Sequence, residues 1–475
     1  MNRAERRKQP HSKSNLSKAG LTYLTVAGVV SGAVGFASPA HAAVYTSTVC
    51  SDLISDLTAL EADDGGTLTA NFSGSCDLAE GYMFDGDITL IGPADGSLNL
   101  RFTGSDAFGF AFSEGSVHSV SNLNFTKSTD ADLNAFIVLM ESNALTVSNS
   151  TFSDASIEVA IYAEGNLIVS DSTFENLTST YGGAAIYVAS SNAETVIANS
   201  TFTNNQATGQ ASGGAVNARG VLTIANSTFD SNLAGDQGGA VFSENFTMIN
   251  NSTFTGNSAT TGAAVVFGEG GIISNSTFWN NGDADTSSID AAESGLFGNI
   301  LANDSSDTVK LFEPESAIID GGANLYTDTS FADTTIGVGS SELVTSDQLN
   351  LSALYLNQTG PANTGTTETV SISTDSIAYD FYSADSPGID PTSGEDTLLA
   401  PFDQRGVARP FGAGYDVGAF ESGDTPDPEP SEEPEEESLA DTGLPTNTGY
   451  LGLVGLGTAA ILGGSAGLLR RRKKA

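Results

Sequence analysis

The feature that most constrains this chain is a short motif that returns at a nearly fixed interval. Asn149-Ser150-Thr151-Phe152 recurs as Asn199-Ser200-Thr201-Phe202, Asn226-Ser227-Thr228-Phe229, Asn251-Ser252-Thr253-Phe254 and Asn275-Ser276-Thr277-Phe278. Asp171-Ser172-Thr173-Phe174 keeps the same frame. Successive Phe residues are 22, 28, 27, 25 and 24 positions apart, and Phe125 fits as a copy 27 positions upstream. Such a period belongs to a solenoid, in which each repeat buries its apolar side only by stacking on its neighbours.

Other positions hold phase with the Phe. Five residues before it stand Val147, Val169, Ile197, Ile224, Ile249 and Ile273; three after it stand Asn205, Asn232, Asn257 and Asn281; five after it stand Ala207, Ala234 and Ala259. Gly182-Gly183-Ala184, Gly213-Gly214-Ala215 and Gly238-Gly239-Ala240 recur between them, each followed by a short β-branched or aromatic run. These runs are too short for helices and are separated by Asn, Gly and Ser, the residues of tight turns. Three short strands per repeat make one coil of an all-β, right-handed parallel β-helix. Coils stack at about 4.8 Å, so like residues form ladders, Phe on Phe inside and Asn on Asn at the turns. An aliphatic and a Phe five residues apart cannot both face inward on one straight strand, so a bend is expected at the Asn-Ser step.

Solenoids must cover their ends. In residues 51–63, Leu53, Ile54, Leu57 and Leu60 share one helical face, which predicts an N-terminal lid. It is flanked by the only two cysteines, Cys50 and Cys76. In an exported chain these read as a disulfide pinning the cap, since two Cys without a cluster make a poor metal site.

Export is written at the N-terminus. Residues 1–19 are basic and polar, residues 20–36 are apolar, and Ser38-Pro39-Ala40-His41-Ala42 ends in an A-x-A pattern. Ala40 and Ala42 thus mark a signal-peptide cleavage site, with the mature chain starting at Ala43. From Ala43 to Thr442 there are 57 acids against 6 bases, a net of −51. Nucleic acid and anionic lipid are thereby excluded as partners, because both need Lys and Arg to neutralise phosphates.

At the other end, residues 424–438 are acidic and Pro-rich, a composition that stays extended and forms no core. Leu439-Ala440-Asp441-Thr442-Gly443 follows, then an apolar span over 450–469 and a basic tail from Arg470. The span is long enough to cross a bilayer with its basic end inside. The triple resembles a Gram-positive cell-wall sorting signal, with the pentapeptide as the L-A-x-T-G variant of the sortase motif. By that resemblance sortase cuts between Thr442 and Gly443 and joins Thr442 to peptidoglycan. Leu444-Pro445-Thr446-Asn447-Thr448-Gly449 is one residue too long for L-P-x-T-G and ranks second.

The pairing of Gly-Gly-Ala-Val with Phe-x-x-Asn (Phe229 to Asn232, Phe254 to Asn257) resembles the repeats of polymorphic outer-membrane proteins and, more broadly, the pectin-lyase-like β-helix superfamily. The C-terminal flank is similar to the choice-of-anchor Q domain at Gly298-Asn299-Ile300-Leu301, Gly321-Gly322-Ala323-Asn324-Leu325, Ser386-Pro387-Gly388, Asp403-Gln404-Arg405-Gly406, Arg409-Pro410 and Asp416-Val417-Gly418-Ala419-Phe420-Glu421. Polymorphic proteins end in a membrane barrel that this chain lacks, so only their repeat transfers. The resulting organisation is a signal peptide over 1–42, a cap over 43–79, β-helix repeats over 80–303, a flank over 304–421, a linker over 422–438 and a sorting segment over 439–475.

Chemistry is sparse. His118 is the one histidine after Ala42 and reads as an ordinary strand residue, which leaves Ser-His-Asp and Cys-His arrangements without support. Arg405 and Arg409 read as structural cations holding carboxylates or carbonyls near Asp403, Asp416 or Glu421. The alternative to a non-enzymatic chain is glycoside hydrolysis, which needs only two carboxylates. Glu164, Arg219 and Glu244 each stand ten residues before a Phe and Glu269 nine before. Stacked on adjacent coils, Glu244 and Glu269 would be about 5 Å apart, near the spacing of a retaining pair. The reading adopted is a solvated column with an Arg–Glu ion pair, since any stacked residues share that spacing. No metal site or cofactor is expected beyond weak Ca²⁺ at Asp/Asn turns. The expectation is a secreted, wall-anchored rod for adhesion or surface structure, with sortase, peptidoglycan and a host or cell-surface ligand, glycan among the candidates, as partners.

Overall fold

The computed structural model describes residues 43–422, apart from 64, 114–116, 141–142, 283–285, 292–293, 304–310, 313–317, 329, 331–334, 337–340, 356–366 and 384–401. The described residues form a right-handed parallel β-solenoid of about 10 turns. Three sheets run along it, here named A, B and C, with 13, 12 and 9 strands among the described residues. One coil passes through all three, for example Ala144–Ser148 in A, Thr151–Ser153 in B and Val159–Ala163 in C. A fourth, minor sheet joins Thr178–Ser179, Gln206–Ala207 and Leu233–Ala234.

The bend falls at the Asn. Asn149, Asp171, Asn199, Asn226, Asn251 and Asn275 have φ between 47° and 50°, and Gly298 and Ala323 continue the column at 66° and 63°. This left-handed backbone turns the chain from sheet A to sheet B within two residues. Most side chains resist it, while Asn and Asp tolerate it. The Ser that follows closes the corner: the Ser200 backbone N–H donates to Ser227 Oγ at 3.2 Å, and Ser200 Oγ donates to the Ala198 carbonyl at 2.8 Å. Such bonds run from Ser150 to Ser276, after which Asn299 and Asn324 take over the Ser position.

The B-to-C corner carries the buried Asn ladder. Asn232 Nδ2 donates to the Phe202 carbonyl at 2.9 Å and to Asn257 Oδ1 at 3.0 Å, and the Asn232 backbone N–H also reaches Asn257 Oδ1. Asn205 and Asn257 repeat the pattern. A second left-handed column stands just before it, at Asp154, Asn176, Asn204, Ser231, Gly256 and Asn280.

Inside, Phe125, Phe152, Phe174, Phe202, Phe229, Phe254 and Phe278 stack with centroids 4.6–4.8 Å apart and rings within 4° of parallel. Leu301 and Tyr326 extend the column. Val147, Val169, Ile197, Ile224, Ile249 and Ile273 form a second buried ladder on sheet A.

The N-terminal end is covered. The helix Cys50–Glu61 buries Leu53, Leu57 and Leu60, packs Ile54 partly against the core, and is tied by a Cys50–Cys76 disulfide. Strands Ala43–Ser47, Gly66–Ala70 and Gly74–Leu78 already belong to sheets A and B, so coiling begins before residue 80. It also continues past 303, through Ile318–Asp320, Leu325–Tyr326 and Glu342–Leu343. Beyond Leu343 the chain forms the helix Ser346–Leu349 and an antiparallel pair, Leu351–Tyr355 with Thr369–Ile372. It then folds back onto the outer side of sheet B. Thr253 Oγ1 donates to Gln404 Oε1 at 2.7 Å, Asn251 Nδ2 to the Phe402 carbonyl at 2.8 Å, and the Ala419 N–H to Thr277 Oγ1 at 3.1 Å.

Ala40, Ala42, residues 439–443 and the apolar span 450–469 lie outside the described residues. Among those described, no helix is long and apolar enough to cross a membrane.

Candidate functional site

The outer side of sheet C carries a second column of side chains, of which Tyr187, Asn217, Phe242 and Val266 are buried. Its strands point Ile161, Ile186, Val216 and Val241 inward. The next residue of each strand faces out, and strand register stacks Tyr162, Tyr187, Asn217, Phe242 and Val266 in one column. Tyr162 and Tyr187 lie nearly parallel, with centroids 5.8 Å apart and 17° between planes. Tyr181 meets Tyr187 edge-on at 5.0 Å and is 54% exposed.

Tyr181 is delivered by the loop between the minor sheet and sheet C. Its backbone N–H donates to Ser179 Oγ at 2.9 Å, and the loop then turns through Gly182 and Gly183 at φ 119° and 59°. Gly183 has no room for a side chain: a Cβ there would meet the Ile186 carbonyl oxygen at 2.2 Å. Asn217 Nδ2 donates to the Ser212 carbonyl at 2.9 Å and fastens the equivalent loop one coil on.

At the C-terminal end of these strands the next column reads Glu164, Ala189, Arg219, Glu244 and Gly268. Tyr162 Oη donates to Glu164 Oε1 at 3.0 Å. Desolvation, then the Glu164 hydrogen bond and charge, push the Tyr162 phenol up to about 12. Desolvation also raises Tyr187, opposed by the Arg219 cation. Both phenols therefore remain neutral donors and acceptors at ordinary pH. Arg219 Nε lies 3.8 Å from Glu244 Oε1 with both side chains about half exposed, a pair worth about 0–1 kcal/mol. Stacked aromatic planes beside paired hydroxyl, carboxylate and guanidinium groups can hold a ring with an apolar face and polar edges.

The Glu244–Glu269 rung does not form as expected. Register places Gly268 over Glu244, and Glu269 follows one residue later; both glutamates are exposed. Gly268 and Glu244 each stand ten residues before their Phe and Glu269 nine before, so the count from Phe agrees with the register and leaves Glu269 one residue past the rung. His118 points into the core instead, stacked on Phe112 at 4.8 Å, and burial pushes its imidazole down to about 4. Trp279 packs against the C-terminal flank. Among the described residues no group of three or more His, Cys, Asp or Glu is placed to hold a metal.

Arg405 and Arg409 do hold the flank together. Arg405 donates to Asp403 Oδ2 through Nε at 2.8 Å, reaches the Glu421 carbonyl through Nη2, and sits 3.6 Å above the Phe420 ring. Arg409 donates to the Asp416 and Gly418 carbonyls at 3.0 and 2.7 Å and stands 3.8 Å from Glu421.

The sequence reading passed over the tyrosines. Their signal was Ala160-Ile161-Tyr162-Ala163 against Ala185-Ile186-Tyr187-Val188, 25 residues apart. A family model described as right handed beta helix region matches residues 90–229, a stretch that includes Tyr162, Glu164, Tyr181, Tyr187 and Arg219 but not Glu244. No curated protein and no solved structure matches the chain.

Proposed function

We propose that this is a secreted, wall-anchored β-helix rod that binds a glycan on the outer side of sheet C and acts by binding rather than by turnover. The observation that carries the binding half is the Tyr162–Tyr187 stack with Tyr181 standing exposed beside it, flanked by Glu164, Arg219 and Glu244. Aromatic planes cover the apolar face of a pyranose, and the phenols, carboxylates and guanidinium meet its hydroxyls. The flank's likeness to the choice-of-anchor Q domain supports display at a cell surface. The order of LADTG, apolar span and basic tail supports sortase as the partner that joins Thr442 to peptidoglycan.

Two measurements test the two halves. Residues 43–438, applied to an array of neutral and acidic glycans, should bind one class saturably, and Tyr181→Ala and Tyr162→Ala should each weaken that binding about tenfold or more while the fold is unchanged. Turnover of the bound glycan would contradict the reading. In cells, Thr442→Ala should move the protein from the wall to membrane and medium fractions; a variant still released only by muralytic digestion would refute Thr442 as the attachment point.

A further inference from the structure

Sheet A has an outer surface unlike the rest of the molecule. Ten successive strands run from Gly66–Ala70 to Ser294–Phe297, and Glu194 is the only Asp, Glu, Lys or Arg in any of them. In the mature chain 57 of 400 residues are acidic, so a surface this large would ordinarily carry several carboxylates. The other two sides do carry them: Glu175 and Asp230 on sheet B, Glu164 and Glu244 at the edge of sheet C.

The outward column of sheet A reads Thr146, Ile168, Val196, Thr223, Met248, Ile272 in unbroken register. All six are partly exposed. The column beside it runs Ser148, Ser170, Ala198 and Ala225, then Asn250, Ser274 and Phe297; its small side chains leave the first four of these coils flat. Flat, uncharged, half-apolar sheet surfaces are where proteins meet.

The charge distribution says what meets it. A basic partner would settle on the acidic sides, where its charge is answered, and an anionic partner is repelled by the net of −51. A second copy of this chain is repelled everywhere except where neither copy carries charge. The area also suffices. Nine steps of about 4.8 Å by a strand length of about 16 Å give roughly 700 Å² on each copy, about 1,400 Å² in all, within the range of a standard interface. We propose that two copies pair through sheet A, packed face to face about 10 Å apart, with the acidic edges directed away from each other. Glu194 opens its strand and so sits at the rim.

Sedimentation velocity on residues 43–438, from micromolar to near-millimolar concentration, tests this. The segment contains the N-terminal cap and the folded-back flank. A monomer–dimer equilibrium is expected that tightens with added salt, because the residual repulsion between acidic rods is screened. Thr223→Glu and, separately, Thr146→Glu place like charges in the contact and should each raise the dissociation constant about a hundredfold. Both positions face outward, so circular dichroism and melting should match the parent, and Glu175→Gln on sheet B should leave the dimer unchanged. A monomer at every concentration overturns the proposal, as does a dimer indifferent to both glutamates, or a different surface molecule captured by sheet A while the chain itself stays monomeric.

Discussion

Replacing Phe229 by Ala probes the feature on which the whole rod depends. Phe229 is fully buried, with Phe202 at 4.6 Å on one side and Phe254 at 4.7 Å on the other. The substitution removes a burial term of about 1.5–3 kcal/mol. It also removes two stacked ring contacts of about 0.5–1.5 kcal/mol each. The neighbours cannot close the gap, because backbone ladders on three sides fix the coil spacing. A total near 3–5 kcal/mol follows, the range of Phe-to-Ala changes in rigid cores. In a solenoid each coil feels mainly its neighbours, so the loss should be local. Amide hydrogen exchange should show faster opening across residues 200–260 and little change across 66–125. Phe229→Leu should cost under about 1.5 kcal/mol, since Leu301 occupies the same column above Phe278. Unchanged protection across 200–260 in the alanine variant would refute the ladder's role, and a uniform loss along the chain would refute nearest-neighbour coupling.

The corner ladder gives a second test: Asn232→Ala strands the Asn205 N–H and the Phe202 carbonyl in a dry corner and should cost about 2–4 kcal/mol by chemical denaturation, with Asn232→Ser recovering little. His118 is neutral in the folded chain with its imidazole pushed down to about 4, against 6.5 when unfolded, and neither ring nitrogen has a partner. Its contribution is therefore intact above pH 6.5 and lost as pH falls toward 4, by about 3 kcal/mol; His118→Leu, matching Leu145 in the next coil, should flatten that part of the stability profile. The flank behaves oppositely. Burial pushes the Glu421 carboxyl up from 4.5 to about 7 against the pull of Arg409, so the folded flank binds its proton more tightly and loses stability as pH rises between those values. Glu421→Gln should remove that slope, read as the pH dependence of protease cleavage between residues 402 and 422.

How much was legible depends on whether one residue type filled a role. The Phe column, the aliphatic column and the Asn ladder could be read because stacking like on like rewards repetition. The bend was located by parity alone, and the left-handed Asn is its physical cause. The second left-handed column is harder to read because Asp154, Ser231 and Gly256 interrupt its Asn residues, so no fixed motif forms. The coiling before residue 80 is not legible because its core residues, such as Leu68 and Leu78, lack the Phe motif. Glu269 misses the rung because it stands nine residues before Phe278 where Glu244 stands ten before Phe254. The tyrosines occupy two coils only, too few to announce a pattern. The return of the flank to Thr228, 140 residues before Glu368, has no local signature at all.

That return decides how the rod would carry load under the proposed wall attachment. The last described residues do not lie at the tip of the solenoid; Gly418 and Ala419 are bonded to Gly298 and Thr277 on its flank, a few residues before Ser422, the last residue described. Tension on the tail therefore enters sideways, through Ala419–Thr277 and Gln404–Thr253 together, and those bonds share it in shear. The terminal coils are bypassed and cannot be peeled off one at a time. Under the proposed attachment the rod would be mounted like a bracket, fastened partway along its side with the tyrosine coils a few turns from the fixing, which would give a bound ligand a short lever arm and little room to swing.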